Sequence, residues 1–309
     1  NAWRIRSRDV MLRLLLPSLF VLAAIWSAGP ALFLPGRPGG FDETAVKDPS
    51  IVFQGGRWHL FYTARGQGRY SIGYASAERL EALDRAKRFE LSQLASGKAP
   101  YAAAPQVFYF RPQRRWYLIY QTTDANYQPV FSTARQVDQA AAWTLPRPLI
   151  EKRDAAKWID FWVICDERFA YLFFTREHRD LYFARTTLAE FPHGWSEPRR
   201  AFGPLHESAH IYRAAGREKR YVLLFETQER DARSFGLAEA GSLEGPWREV
   251  ERRFAPGAGL RFEVERWTEE VSHGELIRSG YDERLEAEVR RIRFLIQGLP
   301  AGTHHGDYA

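Results

Sequence analysis

Three carboxylates stand at the heads of apolar runs in this chain. Asp48 opens Lys47-Asp48-Pro49-Ser50-Ile51-Val52-Phe53, Asp160 opens Ile159-Asp160-Phe161-Trp162-Val163-Ile164-Cys165, and Glu207 lies in His206-Glu207-Ser208-Ala209-His210-Ile211-Tyr212. An acid in such a place does not serve packing, because an unpaired buried charge is costly. Carboxylates gathered into one low-dielectric pocket push their pKa values apart, so that one holds a proton at a pH where another is ionised. One protonated acid and one ionised carboxylate flanking a scissile bond are what glycoside hydrolysis requires.

Other chemistries lack their parts. Cys165 is the only cysteine, so there is no internal disulfide, and within an apolar run it reads as a buried thiol rather than a nucleophile. No His pair has zinc-ligand spacing on a helix. There is no Gly-rich phosphate loop and no nucleophile elbow. The net charge is +6 and the pI near 9.4, but the basic residues are interleaved with almost as many acids. A nucleic-acid partner is therefore not expected, whereas long-range attraction to an acidic polysaccharide fits such a charge.

The elements that must position the acids repeat along the chain. Each copy is an apolar run, a turn and a second aromatic-rich run. The second runs are His59 to Thr63, Trp116 to Gln121, Ala170 to Thr175, Tyr221 to Glu226 and Ile292 to Gln297. Runs of this length, bounded by turn residues and rich in β-branched and aromatic side chains, favour strand. Third runs rich in small residues follow, such as Ser71-Ile72-Gly73-Tyr74-Ala75-Ser76 and Phe235-Gly236-Leu237-Ala238, and then Trp143, Trp195 and Trp247. Units too small to bury their own faces, repeated around a centre, predict an all-β fold, a five-bladed β-propeller. The heads of the first strands then converge on one mouth of a central channel. Residues 77–98, where Leu80, Leu83, Phe89 and Leu91 alternate with charges, predict a helical insertion over the blade edges.

The N-terminus differs. Arg4, Arg6, Arg8 and Arg13 precede the apolar stretch Leu14 to Ile25, and small residues follow at Ser27 to Ala31. That order reads as a secretory signal peptide, with Met11 as a plausible start. The expected domains are residues 1–31, an extension with signal peptide, and 32–309, one catalytic propeller. The expected protein is secreted and extracellular, a monomer without a stable membrane partner.

Several segments together resemble glycoside hydrolase family 62. They are Lys47-Asp48-Pro49, Ala104 to Phe110, Trp116 to Gln121, Ile159-Asp160, Asp166 through Tyr171 to Phe174, Phe191-Pro192, Glu207 to Tyr212, Ser272-His273-Gly274-Glu275-Leu276, and Phe294 to Gly298. The likeness covers about residues 40 to 300. It implies a five-bladed propeller and a secreted α-L-arabinofuranosidase that removes arabinofuranosyl side groups from arabinoxylan with inversion. By position, Asp48 resembles the general base, Glu207 the general acid, and Asp160 the carboxylate that raises the acid's pKa. The resemblance also implies substrate contacts from Lys47, Gln106, Arg233 and His273. It implies Ca2+ in the central channel near His273 as a structural ion; a hard cation prefers oxygen ligands, so His273 would act through water. Arg230 rivals Arg233, and Asp166 reads as a turn former.

The chain departs from the family pattern at Thr122 and Thr123, where many members have Trp-Gly, and at Arg230-Asp231-Ala232-Arg233-Ser234-Phe235. Both changes touch substrate binding rather than the carboxylates. A family 43-like xylosidase or arabinanase, and a non-catalytic glycan-binding propeller, remain alternative readings.

Overall fold

The computed structural model describes residues 2–7, 26–95, 101–122, 128–151, 154–216, 220–229, 232–256, 260–268, 270–289 and 291–299. Their strands form five sheets. Three are four-stranded antiparallel meanders laid out in chain order. The first runs Ala45–Gln54, Arg57–Gly66, Arg69–Ala77, Arg88–Glu90; the second Ala103–Phe110, Arg115–Thr122, Gln128–Ala134, Arg147–Pro148; the third Trp158–Cys165, Phe169–Arg176, Asp180–Thr187, Arg199–Phe202. The fourth repeats the meander with His210–Ala214, Tyr221–Glu229, Ala232–Ala240 and Arg248–Pro256, and adds Glu286–Ala287 in parallel on its inner edge.

The fifth sheet is composite. Glu270–Leu276 pairs with Arg293–Leu299, and the sheet continues through Ala2–Ser7 and Trp26–Phe33 to Arg261–Phe262. Strands from both ends of the chain thus complete one sheet. The fold is all-β and propeller-like, and four of its sheets follow the expected repeat directly.

The repeat's small residues have a steric reason. Gly73 lies across from Tyr62 and Gly236 across from Phe225. A Cβ at either would come within 2.2 Å and 2.4 Å of the facing ring. The aromatic second strand therefore lies flat against a third strand stripped of side-chain bulk. Buried rings such as Trp158 and Phe174, stacked at 4.1 Å, fill the space between sheets, each large apolar side chain contributing about 1.5–3 kcal/mol.

Two expectations are corrected. The described part of that segment, residues 77–95, holds no amphipathic helix. It forms a six-residue 3-10 helix Leu80–Arg85, the edge strand Arg88–Glu90 and a short turn Ser92–Leu94. Phe89 pairs with Tyr74, and Arg88 is fastened to Asp42 and Asp84; pairing to an open sheet edge wins over a segment too short to nucleate a stable helix. The boundary at residue 31 cuts through Trp26–Phe33, whose Trp26, Ala28 and Phe33 are buried in the core. The apolar stretch expected as the leader's core lies outside the described residues.

Candidate active site

At the head of each inner strand one non-glycine residue takes a left-handed backbone conformation. These are Asp48 (φ 48°), Ala104 (φ 52°), Asp160 (φ 56°), Ser208 (φ 55°) and His273 (φ 23°). The pairing ladder skips beside four of them, between Lys47 and Ser50, Ala103 and Gln106, Ile159 and Trp162, and Ser272 and Gly274. Bulges of this kind re-aim a side chain at the cost of a broken ladder. Each such residue costs about 1–3 kcal/mol and persists only where its surroundings fix it.

The fixing groups come from the sheet before. The Asp48 N–H donates to Gln297 Oε1 (2.8 Å), that of Ala104 to Thr63 Oγ1 (2.8 Å), that of Asp160 to Gln121 Oε1 (3.3 Å) and that of His273 to Glu226 Oε1. All four acceptors lie in the last four residues of the strand that pairs with the inner strand of the preceding sheet. Thr175 holds the same place in the third sheet, yet its Oγ1 is buried without a hydrogen-bond partner among the described residues. There Asp160 Oδ2 accepts the Ser208 N–H itself, at 2.8 Å.

A second ring lies two residues deeper. Ser50 Oγ accepts the Val107 N–H (3.0 Å), Gln106 brackets both backbone groups of Val163 (2.7 and 2.8 Å), and Trp162 Nε1 donates to Ile211 O (2.8 Å). His210 Nδ1 donates to Gly274 O (2.8 Å), and Glu275 Oε2 accepts the Ile51 N–H (3.2 Å). Gln106 is thus a buried tie between sheets and not a substrate contact, because both ends of its amide are taken. Glu275, lifted by burial, lies against the buried Arg278 guanidinium, with Nε at 2.6 Å.

Asp48 and Asp160 are buried at these mouth positions, and Glu207 sits one residue before the left-handed Ser208, its side chain 18% exposed. Glu207 Oε1 accepts from Arg233 at 2.6 Å, and Oε2 lies 3.1 Å from His178 Nδ1. Arg233 also reaches Glu226 (3.2 Å) and Ser272 (2.9 Å). Glu226, fully buried, accepts from Ser272 Oγ at 3.1 Å as well. Burial lifts Asp160 to about 7, helped by the Glu207 charge, opposed by the Ser208 N–H and helped more weakly by Asp48. Burial likewise lifts Glu226 to about 7, against the pull of Arg233. Glu207 goes the other way: burial pushes it up, but His178 and Arg233 outweigh burial and hold it below the ordinary range. The expectation that the Asp160 charge keeps Glu207 protonated is therefore not met. A cation and an N–H donor sit on Glu207, and the proton belongs to its neighbours.

Of the other expected residues, Arg233 enters the site, while Arg230 lies outside the described residues. Lys47 stays at the half-buried rim, its ammonium 5.9 Å from the centre of the Tyr70 ring. His273 Nδ1 lies 3.4 Å from Asp48 Oδ1, with the His210 ring edge-on at 5.0 Å. Calcium takes six to eight oxygen ligands. Among the described residues, no cluster of three or more His, Cys, Asp or Glu side chains with converging ligand atoms includes His273. Its side-chain surroundings alone do not fit a calcium cage. Thr122 is buried, Thr123 and Tyr127 lie outside the described residues, and Trp267 donates to Gly29 O while its ring covers Gly298. Asp166 forms its turn by accepting the N–H groups of Arg168 and Phe169.

His178, His206 and Lys157 carry no signal in the repeat and were not expected here. The one clue is local: Glu177-His178 occupies a hairpin turn where Gly or Asn is usual.

Three comparisons bear on this arrangement. The model of Glycosyl hydrolase family 62 matches residues 26–309. Alpha-L-arabinofuranosidase C of Cellvibrio japonicus (strain Ueda107) is 33% identical over 293 residues, which are 91% of this chain and 45% of that protein, so the chain spans about half the length of this curated relative. The catalytic domain of the Coprinopsis cinerea GH62 α-L-arabinofuranosidase superposes with a TM-score of 0.83 at 34% identity, covering 91% of this chain and 92% of that one. A GH62 hydrolase in complex with xylotriose gives 0.82 at 30% identity, covering 91% and 92%.

Proposed function

Because the chain belongs to glycosyl hydrolase family 62, we propose that it is an α-L-arabinofuranosidase that removes arabinofuranosyl side groups from arabinoxylan with inversion. The observation that carries the reading is the convergence of Asp48, Asp160 and Glu207, two of them on strained bulges, with Asp160 sensing both of the others. The xylotriose bound by a similar hydrolase favours a xylan backbone as the polymer.

Asp48 is the base that takes a proton from water as that water attacks the anomeric carbon, and His273 beside it orients the carboxylate. Glu207 gives its proton to the leaving glycosidic oxygen. Between Arg233 and His178, Glu207 is ionised. A sugar that fills the pocket strips water from Glu207 and competes for those two partners, and both effects raise its proton affinity. Asp160 and Glu226, lifted to about 7, keep a proton within the cluster at neutral pH. The carboxyls titrate as a set, and apparent values belong to the set. Asp160 also fixes the loop carrying Glu207 through the Ser208 N–H. Lys47 and Arg233 contact sugar hydroxyls at the rim.

The reading extends to five blades, the composite sheet being the fifth because its inner strand carries the same bulge at His273. It also extends to export from the cell as a monomer and to a water-carried calcium near His273, each open to direct measurement. Arabinose release from arabinoxylan by the purified full chain, with Glu207→Ala in parallel, tests the function. Arabinose from the wild type and none from the variant is expected. Xylose from arabinoxylan, or fragments longer than arabinose when arabinan is offered in its place, would instead move the substrate to a family 43-like one, and no product from either glycan would leave a binding propeller.

A further inference from the structure

We propose that His178 is a positioning residue for the acid: Lys157 and a strained turn hold its ring so that Nδ1–H faces Glu207 Oε2. The inference rests on the reading of Glu207 as the acid and deepens it. The turn joins Phe169–Arg176 to Asp180–Thr187, and the Arg179 N–H closes it on Arg176 O at 3.1 Å. Both central residues are left-handed, Glu177 at φ 54° and His178 at φ 49°. The first sheet's hairpin meets the same demand with Gly55 and Gly56, at φ 60° and 77°, as such a turn prefers. A Glu-His pair there keeps strain that a glycine would remove.

Lys157 holds the strained turn at three points. Its N–H donates to Glu177 Oε1 (2.6 Å), its carbonyl accepts from the Glu177 N–H (2.9 Å), and its Nζ lies 2.8 Å from His178 Nε2. An ammonium only donates, so Nε2 accepts and the ring proton sits on Nδ1. That nitrogen is 3.1 Å from Glu207 Oε2. The N–H is poorly aligned, and catalytic hydrogen bonds commonly tighten as substrate binds. The His206 ring stacks on His178 at 5.2 Å, with Nε2 3.8 Å from Glu207 Oε1, so the imidazole cannot swing away on that side.

His178, His206 and Glu207 offer ligand atoms within 4.8 Å of one another, which raises a metal site as an alternative. A metal-bound imidazole hands its other N–H to an acceptor. Here the other nitrogen faces an ammonium, the wrong partner for that role. Glu207 is otherwise faced by Arg233, with Asp160 and Glu226 behind it.

The test compares His178→Gly, His178→Asn and Glu207→Ala in the full chain, on arabinoxylan and on 4-nitrophenyl α-L-arabinofuranoside, whose leaving group needs little acid help. His178→Gly relaxes the turn, so its melting temperature should equal or exceed that of the wild type. Its kcat on arabinoxylan should fall roughly 10- to 100-fold with KM little changed, and its kcat on the aryl glycoside about threefold or less. His178→Asn tolerates the turn and keeps an N–H near the Nδ1 position, and should recover most of the loss. Wild-type kcat of His178→Gly on arabinoxylan, or an equal loss on both substrates, would overturn the inference. A fully active Glu207→Ala would instead overturn the assignment of the acid.

Discussion

Four of the five junctions between neighbouring sheets are clasped alike. A polar side chain near the end of one second strand takes the N–H of the strained residue opening the next sheet: Thr63, Gln121, Glu226 or Gln297. The junction between the third and fourth sheets breaks the pattern. Thr175 stands ready but unused, and Asp160 does the clasping from its own bulge. The difference shows where fold maintenance and chemistry meet. At the ordinary junctions the clasp holds a backbone; at this one it ties the loop carrying Glu207 to a carboxylate that senses both other acids.

Substitutions at the two kinds of junction should therefore behave differently. Asp160→Ala loses the Ser208 clasp and the charge together, and turnover on arabinoxylan should drop roughly 10²- to 10⁴-fold. Asp160→Asn keeps an acceptor for the N–H and loses only the charge, so a smaller loss would assign the balance to loop positioning. Thr63→Val strands the Ala104 N–H and should destabilise by about 1–3 kcal/mol with turnover largely kept, read by denaturant titration beside kinetics. Thr175→Val removes a hydroxyl that bonds nothing, and should change stability by no more than about 0.5 kcal/mol; an equal cost at both threonines would erase the distinction.

The smallest effects lie in pH dependence. Asp160 titrates near 7 in the folded chain and near 4 when unfolded. Between those values the folded state binds more protons, so this group makes stability fall as pH rises. Asp160→Asn removes that contribution, and its melting temperature relative to wild type should climb from about pH 4 to about pH 7 and then level off. Glu226→Gln should show the same sign, because it restores the neutral clasp found at Gln121 and Gln297 while Glu226 also titrates near 7.

The chain spells out much of this, and unevenly. Asp48 and Asp160 are legible because continuous apolar runs make an acid at their head conspicuous. Glu207 is legible by type but not by register, since Ser208 and not Glu207 takes the left-handed position. The clasping residues end every second run in the sequence, yet their role depends on which sheet follows, a relation no local pattern carries. Gln106 was misread for that reason: a polar residue at a strand head faces either the channel or the next strand, and only the sheet packing decides. Residues 77–98 were misread because charge alternation in a short segment fits an edge strand as well as a helix. His178 was missed because the site takes it from a turn, where spacing says nothing of reach.

The most direct measurement is proton NMR of arabinoxylan during the first minutes of hydrolysis by the purified chain, following the anomeric signal of the released sugar. The account predicts arabinose appearing first as the β-anomer, the configuration opposite to that of the bond cleaved, and equilibrating afterwards. Arabinose appearing first as the α-anomer would contradict it, because Asp48 would then have attacked the sugar itself rather than activated a water.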